Sequence, residues 1–254
     1  MLEGMPQKCV ELKQGLIPMI QKIREAIQLL ATNLVLFSSI VLTVWLPGSI
    51  LLVCLRLYVF PETAGGDELR IFLQELRVYN AIELAFGPLY LGAIFYAAAQ
   101  LKQGLPATYR QSMTHGARRS FKLFATRIGT GFMVLGGLII FIIPGIILAL
   151  RFALVDPVVV LEGVEGASAR SLSTKLTQGK RWSILGTLIL TFIGVVIAIN
   201  LISFILYLPI SLVGQYENVF IAVIDECVNS IVSIVLMLVL FLFYWEAKNR
   251  HLNP

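Results

Sequence analysis

Residues 121–161 read FKLFATRIGTGFMVLGGLIIFIIPGIILALRFALVDPVVVL, an almost uninterrupted apolar block. A helix needs about 20 mainly apolar residues to cross a bilayer core about 30 Å thick, so this block is long enough for two crossings. Pro144 and Gly145 stand near its middle. Proline removes a helical hydrogen-bond donor and clashes with the preceding turn. We therefore predict a helical hairpin over residues 121–162 that turns at Pro144 and Gly145.

Three further apolar blocks lie at residues 31–60, 81–100 and 184–243. By length, the first two give one crossing each and the last gives two. Pro47 predicts a bend in the first block, and Pro209 with the polar residues after it divides the last. The sequence thus predicts an all-α polytopic membrane fold with about six transmembrane helices, arranged as three successive hairpins.

The composition agrees with this fold. Hydrophobic residues make up 57% of the chain and charged residues 14%, with a mean hydropathy of +0.84, whereas soluble domains are about 45–50% apolar and about 25% charged. We expect a single membrane domain over 1–254. Its predicted parts are an amphipathic cytoplasmic helix (1–26), hairpins at 27–100, 121–162 and 184–243, basic cytoplasmic segments at 101–120 and 163–183, and a cytoplasmic tail at 244–254.

The basic residues follow the same division. Sixteen of the 20 Lys and Arg residues, Arg127 among them, fall in or next to the predicted cytoplasmic parts. Cytoplasmic loops of membrane proteins are enriched in these residues, so both termini are expected in the cytoplasm. The net charge of +5 is spread between apolar spans and not gathered on one polar face, which favours membrane topology over a nucleic-acid partner.

The basic segments also show helical apolar spacing. Val10, Ile17, Ile20, Ile23 and Ile27 repeat at helical intervals in the first. Pro106 is expected to open a second short helix, and Ala169, Leu172 and Leu176 line a third. Such helices lie in the headgroup layer with their basic side towards anionic lipid. The residues expected to contact lipid or a protein partner are Arg118, Arg119, Lys180 and Arg181. The other interpretation is a set of solvated connectors whose charges only set topology.

Signatures of catalysis are absent from the sequence. It contains no phosphate-binding GxxxxGK[ST] loop, no HExxH zinc motif, no GxSxG nucleophile elbow and no GxGxxG turn. The three cysteines lie far apart, and the two histidines, His115 and His251, stand beside basic residues. We therefore predict a protein that is not an enzyme and that needs neither a metal nor a cofactor.

Six ionisable residues within or at the ends of the predicted spans are candidates for a polar site: Glu83, Arg151, Asp156, Glu162, Asp225 and Glu226. Charges are costly in the membrane and mark ion paths or structural pairs. Pro157 interrupts the helix beside Asp156, so that this carboxylate can turn towards Arg151. Three interpretations remain open: structural pairing or interfacial solvation, the polar path of a small transporter or channel, and a lipid-modifying enzyme that uses Asp156 and Glu162.

Small residues in the predicted spans favour close helix contacts, as small-xxx-small faces do in membranes. The glycines with this spacing are Gly129, Gly131, Gly136, Gly137, Gly186 and Gly194.

A family resemblance rests on three stretches. They are IPGIILALRFALVDPVVVLEG at 143–163, SARSLSTKLTQGKRW at 168–182 and FYWEAKNR at 243–250. Together they resemble the membrane domain that precedes glycerophosphoryl diester phosphodiesterase catalytic domains, and the stand-alone YciC-like bacterial inner-membrane proteins. The resemblance implies a location in the bacterial inner membrane. The acidic and histidine metal ligands of the phosphodiesterase domain have no counterpart in this chain.

Overall fold

The computed structural model describes residues 7–55, 68–213 and 219–252. These residues form helices and contain no strand. The helices are α1 (Gln7–Thr32), α2 (Leu34–Cys54), α3 (Glu68–Lys102), α4 (Tyr109–Ile140), α5 (Ile142–Arg151), α6 (Val155–Glu162), α7 (Gly166–Leu176), α8 (Arg181–Val213) and α9 (Val219–Leu252).

Six stretches of the described chain are long and apolar enough to cross a membrane. They are Leu34–Cys54, Leu76–Lys102, Tyr109–Ile140, Ile142–Glu162, Arg181–Pro209 and Val219–Arg250. Consecutive spans pack together as α2 on α3, α4 on α5 and α6, and α8 on α9. The protein is therefore an all-α, multi-pass membrane protein, and the predicted series of three hairpins is confirmed.

The turn of the second hairpin lies three residues ahead of the predicted Pro144-Gly145. Phe141 has extended backbone angles (φ −155°, ψ 138°) and separates α4 from α5. Pro144 then occupies the first turn of α5, where an amide has no intrahelical partner and the missing N–H costs little. A Cβ on Gly145 would lie 2.5 Å from the Leu138 side chain. This glycine thus permits close contact between α4 and α5 and is not the hinge.

Two other predicted hinges do not end a helix. Pro47 lies inside α2 and Pro209 inside α8, and both helices continue beyond the proline. A proline is tolerated within membrane helices because neighbouring groups satisfy the freed carbonyl. The described part of α8 runs to Val213, so the helix does not end at Pro209, and the polar residues predicted to divide the block lie outside the described residues.

Pro106 does not open a separate short helix. Residues 105–108 are non-helical, and α4 starts at Tyr109 and runs on into the third span. The hydroxyl oxygen of Thr108 accepts a hydrogen bond from the Gln111 amide, 3.4 Å away, which caps the helix. The amphipathic segment and the span are therefore one continuous helix.

The most extensive helix contact joins α3 and α4. Their backbones meet at Gly92 and Gly116, where a Cβ on Gly92 would lie 2.9 Å from the Gly116 Cα. A Cβ on Gly116 would lie 2.4 Å from the Leu89 carbonyl oxygen. Both positions require glycine because the two helices approach this closely.

The six glycines selected from the sequence divide into two groups. Gly137 packs close to Gly145, and Gly186 lies against Met19 of α1. The remaining four have open space or one distant neighbour: Gly129, Gly131, Gly136 and Gly194.

Helix α1 is tied to the bundle at one end. Its Ala26 and Leu30 are buried, Lys22 bonds to Glu246 of α9, and Lys102 of α3 donates to Glu25. Four apolar side chains of α1 remain about half exposed: Leu16, Ile17, Ile20 and Ile27. This exposed face agrees with the predicted amphipathic helix, although α1 is continuous through Pro18.

Candidate functional site

Three charged residues from three different spans meet inside the bundle. Arg127 of α4 places its Nη1 3.6 Å from Glu83 Oε1 of α3 and its Nε 3.4 Å from Asp156 Oδ2 of α6. We call Glu83, Arg127 and Asp156 the arginine cluster. Tyr90, two turns after Glu83 on the same face of α3, donates a hydrogen bond of 2.6 Å to Glu83 Oε2. The cluster thus joins three spans through one guanidinium.

Local sequence explains how each member reaches the cluster. Asp156 lies in the first turn of α6, where the helix dipole favours a carboxylate. Gly87 leaves room for the Glu83 side chain, because a Cβ there would lie 2.7 Å from Glu83 Oε1. Leu150, Leu154 and the valines of α6 are buried, and their packing fixes α6 beside α3 and α4.

A cleft of about 420 Å³ opens directly over the cluster. Glu83, Arg127 and Asn80 supply its polar floor, and its walls are mainly apolar. Leu84, Phe132 and Leu135 on the rim are 53%, 72% and 55% exposed. The cleft therefore opens on the apolar outer surface of the spans.

The predicted approach of Asp156 to Arg151 is wrong. Asp156 pairs with Arg127 instead. Arg151 ends α5, where its side chain is exposed and its carbonyl accepts a hydrogen bond of 2.8 Å from the Ser173 hydroxyl. Three non-helical residues separate α5 from α6 and turn Asp156 towards α4, away from Arg151.

Glu162 belongs to a second polar contact at the end of α6. It accepts hydrogen bonds from Tyr244 and Lys248 of α9, the latter at 2.7 Å. Arg151, Asp156 and Glu162 are consequently distributed over separate contacts and do not line one path.

A third site lies where α1, α7, α8 and α9 meet. Two cavities of about 270 and 490 Å³ share Glu246 and Arg250 as lining residues. Lys175 and Lys180 line the first and Lys22 the second. We call these four cations, together with Glu246, the basic pocket. Glu246 contacts Lys22 and Arg250 directly and lies 4.0 Å from Lys180.

The electrostatics of the basic pocket favour an anion. Burial lowers the pKa of Lys22, and the nearby Arg250 and Lys102 lower it further, against the opposing effect of Glu25. Burial likewise lowers the pKa of Lys180, with Arg250 and Lys22 adding to the effect. Burial is the main cause of both shifts, and a bound anion would stabilise the charged form of either lysine.

The four residues predicted to contact lipid or a partner do not form one surface. Lys180 lies in the basic pocket, and Arg181 follows it with its Nε buried and without a hydrogen-bond partner among the described residues. Arg119 donates to the Gly163 carbonyl at 3.4 Å, and Arg118 is exposed.

Five residues of the arginine cluster and the basic pocket are not among the site residues predicted from the sequence. Arg127 counts there only as a topology-setting charge, and the other four belong to predicted cytoplasmic segments: Lys22, Lys175, Glu246 and Arg250. The position of Arg127 inside the apolar block 121–143 is the sequence feature that could have identified it as a site residue. Among the described residues, no three His, Cys, Asp or Glu side chains are grouped so that they could hold a metal ion.

Comparison with known proteins gives one match. No curated protein matches the chain. No solved structure matches it either. A family model described as a domain of unknown function, DUF7847, matches residues 72–247, which include the arginine cluster and all members of the basic pocket except Lys22 and Arg250. The chain therefore belongs to the DUF7847 family.

Proposed function

We propose that this protein is a non-enzymatic protein of the bacterial inner membrane that binds anionic lipid headgroups at its cytoplasmic face, with both termini in the cytoplasm. The observation that carries the proposal is the basic pocket, where four cations and two glutamates, Glu246 and Glu25, line two cavities. Lys and Arg side chains form strong charge-assisted hydrogen bonds to phosphate. A phosphate-bearing headgroup therefore suits this pocket.

The surroundings of the pocket support a lipid as the source of the phosphate. The exposed apolar face of α1 lies on the helix that supplies Lys22. Trp182, two residues after Lys180, is 74% exposed. Tryptophan is enriched at membrane interfaces, and amphipathic helices lie in the headgroup layer. Both features favour a pocket at the level of the headgroups.

The test is lipid retention by the purified protein, measured by native mass spectrometry after reconstitution with phosphatidylglycerol and phosphatidylcholine. A lysine near an anionic lipid surface contributes about 1 kcal/mol, so we expect Lys175→Gln with Lys180→Gln to weaken phosphatidylglycerol binding roughly 30-fold. Phosphatidylcholine binding should not change. Neither lysine lies closer than 4.0 Å to a carboxylate oxygen within the described residues, so the fold should survive.

Lys122→Gln is the matched control, because Lys122 is also exposed but pairs with Glu165 at 3.5 Å, outside the pocket. Equal loss in this control, or parent-like retention of phosphatidylglycerol by the double variant, would contradict the proposal. Retention of a protein in place of the lipid would assign the pocket to a protein partner.

A small transporter or channel is the second candidate function. The arginine cluster favours it, because charged groups from three spans meet beside an open cleft. Asp156→Asn should then abolish ion or solute flux into proteoliposomes. Absence of flux in the parent protein under every gradient would exclude this candidate.

A further inference from the structure

The cleft over the arginine cluster combines a charged floor with an apolar entrance. The side chains of Glu83 and Arg127 are 25% and 30% accessible, and both line the cleft. Lipid tails offer no hydrogen bonds, so accessible charges within spans require a polar partner. A bare hydrocarbon chain would add no polar contact to the accessible sides of these two groups, whereas a ligand with a polar head would.

The charge of the floor determines the sign of that head. Glu83 and Arg127 line the cleft, whereas Asp156 contacts Arg127 but does not line the cleft. Among these three residues two carboxylates share one guanidinium, so the arginine cluster as a whole has one formal negative charge in excess. Arg170 lies against Gly129, on the face of α4 opposite the cleft-lining residues, and does not add to the floor. A ligand with a cationic head would neutralise this excess negative charge.

The walls of the cleft indicate the chemistry of the part of the ligand beyond its head. On α4 the cleft extends from Phe124 to Leu135, about 16 Å along the helix axis. The lining at Phe132 and Leu135 is apolar and open to the lipid phase. This shape suits a single alkyl chain that enters from the side.

We propose that this cleft binds an amphipathic cation, an alkyl chain with an ammonium head, which reaches it from the lipid phase and places its head on Glu83, the carboxylate of the arginine cluster that lines the cleft. The site is distinct from the basic pocket and selects the opposite charge. It would give the protein a second, independent class of ligand.

The test uses tritiated decylammonium and the full-length protein in phosphatidylcholine nanodiscs, with binding to empty nanodiscs subtracted. We expect saturable binding of one amine per chain. Unlabelled decylammonium should displace the label, and decanol or decyl sulfate at the same concentration should displace at least ten times less. Equal displacement by decanol or decyl sulfate would overturn the proposal, because the cationic head would then not be recognised.

Two variants, Gly131→Leu and Glu83→Gln, locate the site, and Gly136→Leu is the matched control. Gly131 lines the cleft and a Cβ there would meet no atom within 4 Å, so Gly131→Leu should fill the cleft and abolish binding. Gly136 on the same helix is equally open but does not line the cleft, so Gly136→Leu should bind as the parent does. Glu83→Gln should weaken binding at least ten-fold. Parent-like binding by Gly131→Leu, with an unchanged melting temperature, would place the amine elsewhere and refute the assignment.

Discussion

Replacing Arg127 with glutamine removes the cation that the Glu83 and Asp156 carboxylates share. At distances of 3.4 and 3.6 Å and an effective dielectric constant of about 20, each contact is worth roughly 4 to 5 kcal/mol before desolvation is subtracted. Removal of one partner from a buried ion pair costs about 3 to 5 kcal/mol net.

The accessibility of the cluster reduces this figure. The side chains of Arg127, Glu83 and Asp156 are 30%, 25% and 21% accessible, so the cluster is only partly buried and the loss belongs at the lower end of this range. We therefore expect the loss to be about 3 kcal/mol. For a chain of this size, 1 kcal/mol shifts the melting temperature by about 2 to 4 °C. Arg127→Gln should then melt about 6 to 12 °C below the parent.

Thermal unfolding in nanodiscs, followed by tryptophan fluorescence, measures this shift. Arg110→Gln is the control, since Arg110 is exposed and lies on the same helix, and it should melt with the parent. A triple variant with Glu83→Gln, Arg127→Gln and Asp156→Asn should recover most of the loss, because no unpaired charge remains. A melting temperature for Arg127→Gln within about 2 °C of the parent would refute the coupling of the three charges.

Three other substitutions test separate contacts by the same measurement. Gly116→Val should lower stability by about 1 to 3 kcal/mol because its side chain would overlap α3, whereas Gly136→Val, with open space around it, should not; equal effects would contradict the close approach of α3 and α4. Tyr244→Phe removes the hydroxyl that donates to Glu162 and should cost about 1 kcal/mol, so an unchanged melting temperature would argue against this bond. Ser173→Ala removes a fully buried hydroxyl that bonds two backbone groups between α5 and α6 and should cost about 1 to 3 kcal/mol, a loss that Ser173→Thr should partly avoid.

The spans could be predicted because their signal is local. The length of an apolar stretch, and the polar residues and prolines that interrupt it, can be read from consecutive residues. These features predict the six spans that the structure shows. The exact turn of the second hairpin depends on tertiary packing. Gly145 packs against Leu138, and this contact requires the chain to reverse at Phe141, before the proline.

The partners of the intramembrane charges could not be predicted in the same way. Asp156 is close to Arg151 in sequence, and only the packing of α6 between α3 and α4 turns its carboxylate to Arg127. Helix packing also decides which glycines lie at close contacts between helices. Sequence spacing selected Gly136 and Gly194, which face open space, and passed over Gly92 and Gly116, which form the closest contact between α3 and α4.

The ties between α1, α2 and α9 constrain the order in which the protein assembles. Lys22 bonds to Glu246 across 224 residues of sequence, and Ser49 lies 3.4 Å from Cys227 across 178. Because synthesis proceeds from the N-terminus, α1 and α2 enter the membrane well before their partners on α9 exist. Until α9 is made, the surface of the first hairpin that later contacts α9 must therefore be covered by lipid or by an insertion factor. Bundle closure is then a late event of biogenesis, and truncation before α9 should leave α1 with its contacts to α2, α3 and α8 but without those to α9.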